Sequence, residues 1–173
     1  MDLELSDKVA IVTGGSKGIG EAITRTLLAE GARVANINRS TEEGLLLQEE
    51  YGADRCLFLQ ADLVEDDACA AAVERACSHF GQIDIVVNNA GVNDGAGLDA
   101  GVARFNESLR RNLLHYYAMV HYSLGPLRES RGAIVNVGSK VCVTGQGGTS
   151  GYAAAKGGIN GLTREWAVDL AAA

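Results

Sequence analysis

Val9-Ala10-Ile11-Val12-Thr13-Gly14-Gly15-Ser16-Lys17-Gly18-Ile19-Gly20 is the stretch that decides the fold. Its first four residues are apolar without interruption, the pattern of a strand buried on both faces. They lead directly into a glycine turn, and from about Ile19 to Glu30 the apolar residues recur at helical spacing. Such a turn points the unpaired N–H groups and partial positive charge of a helix start outward, while glycines let a phosphate approach the backbone. Gly14, Gly18 and Gly20 stand in a GxxxGxG spacing, distinct from the GxGxxG of the long-chain dinucleotide folds. Between a first strand and a first helix, this predicts a dinucleotide pyrophosphate site contacted by Gly14, Ser16, Lys17, Gly18, Ile19 and Gly20.

The same alternation continues along the chain. Gly31 closes the first helix, Val34 to Ile37 is a second strand, and Thr41 to Tyr51 a second helix. Cys56 to Gln60 reads as strand, about Glu65 to Phe80 as a helix with an acidic first turn, and Ile83 to Val87 as a fourth strand, apolar but for Asp84. A Gly-rich loop, Asn88 to Gly101, precedes a long helical pattern reaching about Leu127. Ala133 to Val137 is a fifth strand, and a last helix begins near Ser150 and runs into Ala171, Ala172 and Ala173. Right-handed crossovers then give a doubly wound parallel α/β sheet, Rossmann-like, in strand order 3-2-1-4-5.

Composition narrows the partners. The 173 residues are 47% apolar and 21% charged, as in globular chains, and 15 basic against 22 acidic residues leave a net charge of −7. That balance argues against nucleic acid and anionic membranes, which reward clustered Lys and Arg. No apolar run approaches a membrane span, and the acidic N-terminus (Asp2, Glu4, Asp7) is unlike a signal peptide, so the expected location is cytoplasmic. Cys56, Cys69, Cys77 and Cys142 lack metal-ligand spacing and read as reduced, mostly buried residues; no metal site is expected.

Two further positions bear on the dinucleotide. The tip of the second strand, Asn36-Ile37-Asn38-Arg39, lacks the carboxylate that would bind the ribose 2′-hydroxyl of NAD. Arg39, with Lys17 nearby, favours the 2′-phosphate of NADP over NAD, against the reading of Arg39 as a solvated surface residue. Asp62, followed by Leu63 after the third strand, can accept from the adenine amino group, cap the next helix, or do both.

Tyr152 and Lys156 are four apart at the start of the last helix and so share a face. A phenol is a poor base at neutral pH, and a nearby ammonium stabilises its phenolate. Ser139 lies thirteen positions before Tyr152, just after the fifth strand, at the sheet edge where doubly wound folds bind ligands. His115 and His121, six apart, do not share a helix face and read as packing residues, with His115 able to touch the cleft.

With Thr13 to Gly20, Asp62, Asn88-Asn89-Ala90-Gly91, Asn112, Ser139, Tyr152 and Lys156 on one chain, the sequence resembles the short-chain dehydrogenase/reductase family over essentially its whole length. The resemblance implies a catalytic tetrad: Tyr152 as acid/base, Ser139 steadying the substrate oxygen, Lys156 on the nicotinamide ribose, and Asn112 bending the fourth helix and holding a relay water. It implies that Asn88 to Gly91, Asn88 and Ala90 among them, steady the sheet centre and line the cofactor site. It also implies a homodimer or homotetramer paired through the fourth helix and the last, with Tyr116, Tyr117, Met119 and Trp166 packed or subunit-facing.

Within the family, Asn88 to Gly95, Asn112 to Met119 and Ser139 to Gly147 look like the L-fucose dehydrogenases of bacteria. A small sugar oxidised to its lactone is the expected substrate, met by Asn93, Asp94, Ser139, Gln146 and Tyr152; Asn93 and Asp94 have the alternative reading of plain turn residues. The competing activities are a 3-oxoacyl carrier-protein reductase and a non-catalytic nucleotide-binding redox sensor. Family members run to about 250 residues as one domain. Residues 1–173 are therefore expected to be the first two-thirds of one such domain, without the sixth and seventh strands and the substrate lid.

Overall fold

The computed structural model describes residues 3–171. Five strands, β1 (Val9–Thr13), β2 (Arg33–Asn38), β3 (Cys56–Gln60), β4 (Ile85–Asn88) and β5 (Ala133–Asn136), form one parallel sheet in the order β3-β2-β1-β4-β5. β1 is central, with Val12 opposite Asn36 of β2 on one side and Val87 of β4 on the other. Every residue of β1 is buried, and alternate side chains feed opposite faces of the sheet. Val9 and Ile11 join Ile37, Leu59 and Val86 under α3 (Asp66–Phe80) and α5 (His115–Ser130). Ala10 and Val12 join Val34, Cys56 and Val87 under α1 (Gly18–Ala29) and α2 (Thr41–Tyr51). The chain turns to opposite sides at the carboxyl ends of β1 and β4, and that switch opens a crevice.

The long helical pattern after the Gly-rich loop is two helices. α4 (Gly101–Leu109) passes into a π-helical turn, Arg110–Leu114, before α5 begins. Pro126 lies inside α5, where it withholds one N–H, and the helix still continues to Ser130. A short helix, α6 (Val141–Thr144), was not expected. β4 starts two residues later than the apolar run suggests, because Asp84 turns its carboxylate to the Val9 N–H (2.8 Å) and to Lys8 (3.0 Å). α7 (Ser150–Asp169) ends in a turn at Leu170 and Ala171, and Ala172 and Ala173 lie outside the described residues, as does Asp2. Cys56 and Cys69 are buried, Cys77 and Cys142 half-buried, and all four are free thiols. Among the described residues no helix is long and apolar enough to cross a membrane.

Candidate active site

A cavity of about 440 Å³ opens at the switch between β1 and β4. Gly14 and Gly20 form its floor. Gly14 has φ +64°, and a Cβ there would press to 3.1 Å on both the Ala90 Cα and the Asn89 side chain; a Cβ on Gly20 would collide with the Gly14 carbonyl. The backbone therefore comes closer to itself and to β4 than any other residue type permits. Asn89 locks this approach by donating to the carbonyls of Thr13 (2.9 Å) and Gly14 (3.2 Å), while Thr13 Oγ1 accepts from the N–H groups of Asn89 and Ala90. A bare glycine cradle at the start of α1 is what a pyrophosphate needs, so the residues present fit a dinucleotide.

Lys17, Ile19, Arg39, Asp62, Leu63 and Ala90 also line the cavity. Lys17 is ion-paired with Glu43 at 2.5 Å, and that pairing holds the Glu43 carboxyl below the usual range. Arg39 is mostly exposed and stands 3.9 Å from Asp62, a loose pair that leaves the guanidinium room to turn. Asp62 accepts from the Val64 N–H at 3.3 Å, which closes a local turn ahead of α3 and does not cap it, and its second oxygen faces Arg39.

At the other end of the cavity stand Tyr152 and Lys156. The Lys156 ammonium lies 5.7 Å from the centre of the Tyr152 ring, but its hydrogen bonds go elsewhere: to Tyr116 Oη at 3.0 Å and the Val137 carbonyl at 2.7 Å. Burial pushes the Lys156 pKa down to about 8. His115, buried and also lining the cavity, bonds through Nε2 to the Arg111 carbonyl at 3.0 Å. A carbonyl only accepts, so Nε2 carries the proton and Nδ1 is left bare and unpartnered.

Seven of the expected site residues, and Gly18 beside them, do not line this cavity. Ser16 is buried and takes a hydrogen bond from Asn36 (2.9 Å), bracing the turn against β2. Gly18 stands at the exposed lip of the turn, at φ +55° with open space around it. Asn88 donates to Asn136 (3.0 Å) and the Tyr116 carbonyl, tying β4 to β5 and α5. Asn112 sits in the π-helical turn, fully buried; its Oδ1 takes the Val92 N–H at 2.7 Å and its Nδ2 donates to the Ser108 carbonyl. Its amide is thus engaged in pinning the loop after β4. The Ser139 hydroxyl accepts from the Val141 N–H at 3.3 Å, at the start of α6, while its neighbours Val137 and Gly138 form the cavity wall.

Asn93 and Gln146 are exposed on two loops that touch each other where Gly97 packs on Gly148. Asp94 is drawn inward to accept from Ser108 Oγ at 2.9 Å, and its carbonyl accepts from Arg104, which makes it a fastener of its loop. The family model for short chain dehydrogenases matches residues 8–173. The chain belongs to this family.

Among relatives in the short chain dehydrogenase family, L-fucose dehydrogenase of Mus musculus is 36% identical over 166 residues, covering 95% of this chain and 60% of that protein. The 3-oxoacyl-[acyl-carrier-protein] reductase FabG of Vibrio cholerae is 32% identical over 171 residues, covering 98% and 70%. The crystal structure of Cj0485 dehydrogenase superposes with a TM-score of 0.91 at 36% identity, covering 99% of this chain and 66% of that one. The chain thus spans about 60% of the length of the L-fucose dehydrogenases it matches. Sequence reasoning placed Asn89 in the cofactor-lining segment but not as the lock of the short chain dehydrogenase cradle, and it missed Arg111 as a residue of the cavity wall. Asn89 carried a signal, its place beside Asn88 in the segment that carries the family resemblance; Arg111 carried none, since a lone helical arginine is ordinarily solvated.

Proposed function

We propose that this chain carries the nucleotide site and the acid/base pair of an oxidoreductase that moves a hydride between NAD(P) and a hydroxyl or carbonyl carbon. The observation that carries the reading is that Tyr152 and Lys156 share one cavity with the Gly14–Gly20 cradle. When bound, the nicotinamide supplies the hydride acceptor or donor. The start of α1 and the cradle hold the pyrophosphate, and Asp62 and Leu63 border the adenine end. Tyr152 takes the hydroxyl proton in oxidation or returns it in reduction, with the Lys156 ammonium 5.7 Å from the centre of its ring. Two of the three N–H groups of Lys156 are used within the protein, so one is free for a ribose hydroxyl. Ser139 and Asn112 enter as supports, Ser139 beside the substrate oxygen and Asn112 through the bend it holds.

Arg39 at the cavity lip, with no carboxylate at the tip of β2, supports NADP over NAD. Similarity to L-fucose dehydrogenases at 32–36% identity supports a small sugar as substrate. Exposed Leu114 and Tyr117, three apart on one face, support pairing of this helix between two copies. The test of substrate class is a set of initial rates: L- and D-aldoses oxidised, and an acetoacetyl thioester reduced, each with both cofactors. Turnover of L-fucose with NADP is expected. Turnover of the thioester alone makes the protein a 3-oxoacyl reductase, and none with any substrate favours the nucleotide-binding sensor.

A further inference from the structure

We propose that Tyr116 is a positioning residue for the Lys156 ammonium, a second and buried phenol that fixes the cation beside Tyr152. For its catalytic consequence this rests on the reading above; for its geometry it does not. Tyr116 is fully buried near the start of α5, in contrast to its half-exposed neighbour Tyr117. Its oxygen accepts from Lys156 Nζ at 3.0 Å and donates to the Val137 carbonyl at 3.2 Å, and Lys156 donates to that same carbonyl at 2.7 Å. The ammonium also lies 5.0 Å from the centre of the Tyr116 ring. Groups from α5, α7 and the residue after β5 thus close a triangle, which leaves the cation one place to sit.

The chemistry of a phenol suits the task. Burial first, and Tyr152 second, push the Tyr116 hydroxyl well above the usual tyrosine range, so it stays protonated. A neutral oxygen can hold a cation without cancelling its charge, as a carboxylate would, and the charge stays available to Tyr152. By accepting a hydrogen bond from the charged form, Tyr116 opposes the burial that drives the Lys156 pKa down. The other titratable groups facing the ammonium are Tyr152 on its own helix and His115 on α5. Burial lowers the His115 pKa to about 4, so His115 is uncharged near neutral pH and does not repel it. An apolar side chain in place of Tyr116 would pack equally well and leave Lys156 with Val137 alone.

The test is an NMR titration of 13Cε-lysine-labelled protein without ligand, comparing wild type with Tyr116→Phe and assigning the signal with Lys156→Arg. Tyr116→Phe is expected to stay folded, with its Lys156 midpoint about one pH unit below that of wild type. The alkaline limb of kcat/KM for oxidation is expected to move down by the same amount. Tyr116→Met, which fills the space without an oxygen, gives the same shift should the phenylalanine variant fail to fold. Equal midpoints in wild type and variant overturn the proposal. A shifted midpoint in a protein with no NAD(P)-linked turnover upholds the positioning role and overturns the functional reading instead.

Discussion

His115 shows how surroundings set chemistry at the scale of one residue. Burial lowers its pKa from 6.5 to about 4, and its one satisfied nitrogen donates to a carbonyl, so the folded protein holds it neutral. Between those two pH values the unfolded chain binds the proton and the folded one does not, so stability falls as pH drops, by about 1.4 kcal/mol per unit. Its contribution is complete above pH 6.5 and is lost as pH falls through about 4. Urea midpoints at pH 7 and pH 4.5 are expected to differ less in His115→Leu than in wild type; an equal difference would mean that His115 does not titrate in this window. Tyr152 and Lys156 were legible in the sequence because spacing alone places them on one helix face. The partners of Lys156 were not, since Tyr116 and Val137 reach it from other elements and no local pattern records that. Ser16, Ser139, Asp94 and Asn112 teach a related lesson: each is a polar residue beside the site whose side chain bonds within the protein, Ser16 with Asn36, Asp94 with Ser108, Ser139 with the Val141 N–H, and Asn112 with the backbone of Val92 and Ser108.

Among elements, the strand–glycine–helix unit is the most demanding, since Gly20 leaves no space between α1 and the Gly14 carbonyl. Gly20→Ala is expected to abolish NADPH binding, measured by quenching of nucleotide fluorescence, and to lower stability by about 1–3 kcal/mol through overpacking. Undiminished affinity would place the pyrophosphate elsewhere. Strands and most helix ends were readable from apolar period and glycine stops, because period two and period 3.6 are strong signals. The π-helical turn at Arg110–Leu114 was not, although the resemblance pointed to a bend at Asn112. A π turn changes the spacing for only a few residues, too few to shift an apolar periodicity, and here the Asn112 amide bonds to Val92 and Ser108 across it.

For the whole molecule, sheet order puts β1 and β4 side by side, and a crevice at their carboxyl ends follows from the topology. The exposed Leu114 and Tyr117 face belongs to this scale as well, because the proposed pairing would bury it against a second copy. Light scattering is expected to give a dimer or tetramer mass, reduced in Tyr117→Asp; an unchanged mass would remove this face from the interface. One cavity has to serve both nucleotide and proton transfer. The most direct measurement of this is NADPH binding and NADP-linked turnover in the same preparation of Tyr152→Phe. The expected result is affinity within about twofold of wild type with turnover reduced at least about 10²-fold, the size of an acid/base contribution. Turnover equal to wild type at full occupancy would contradict the assignment of Tyr152, and with it the single-cavity mechanism.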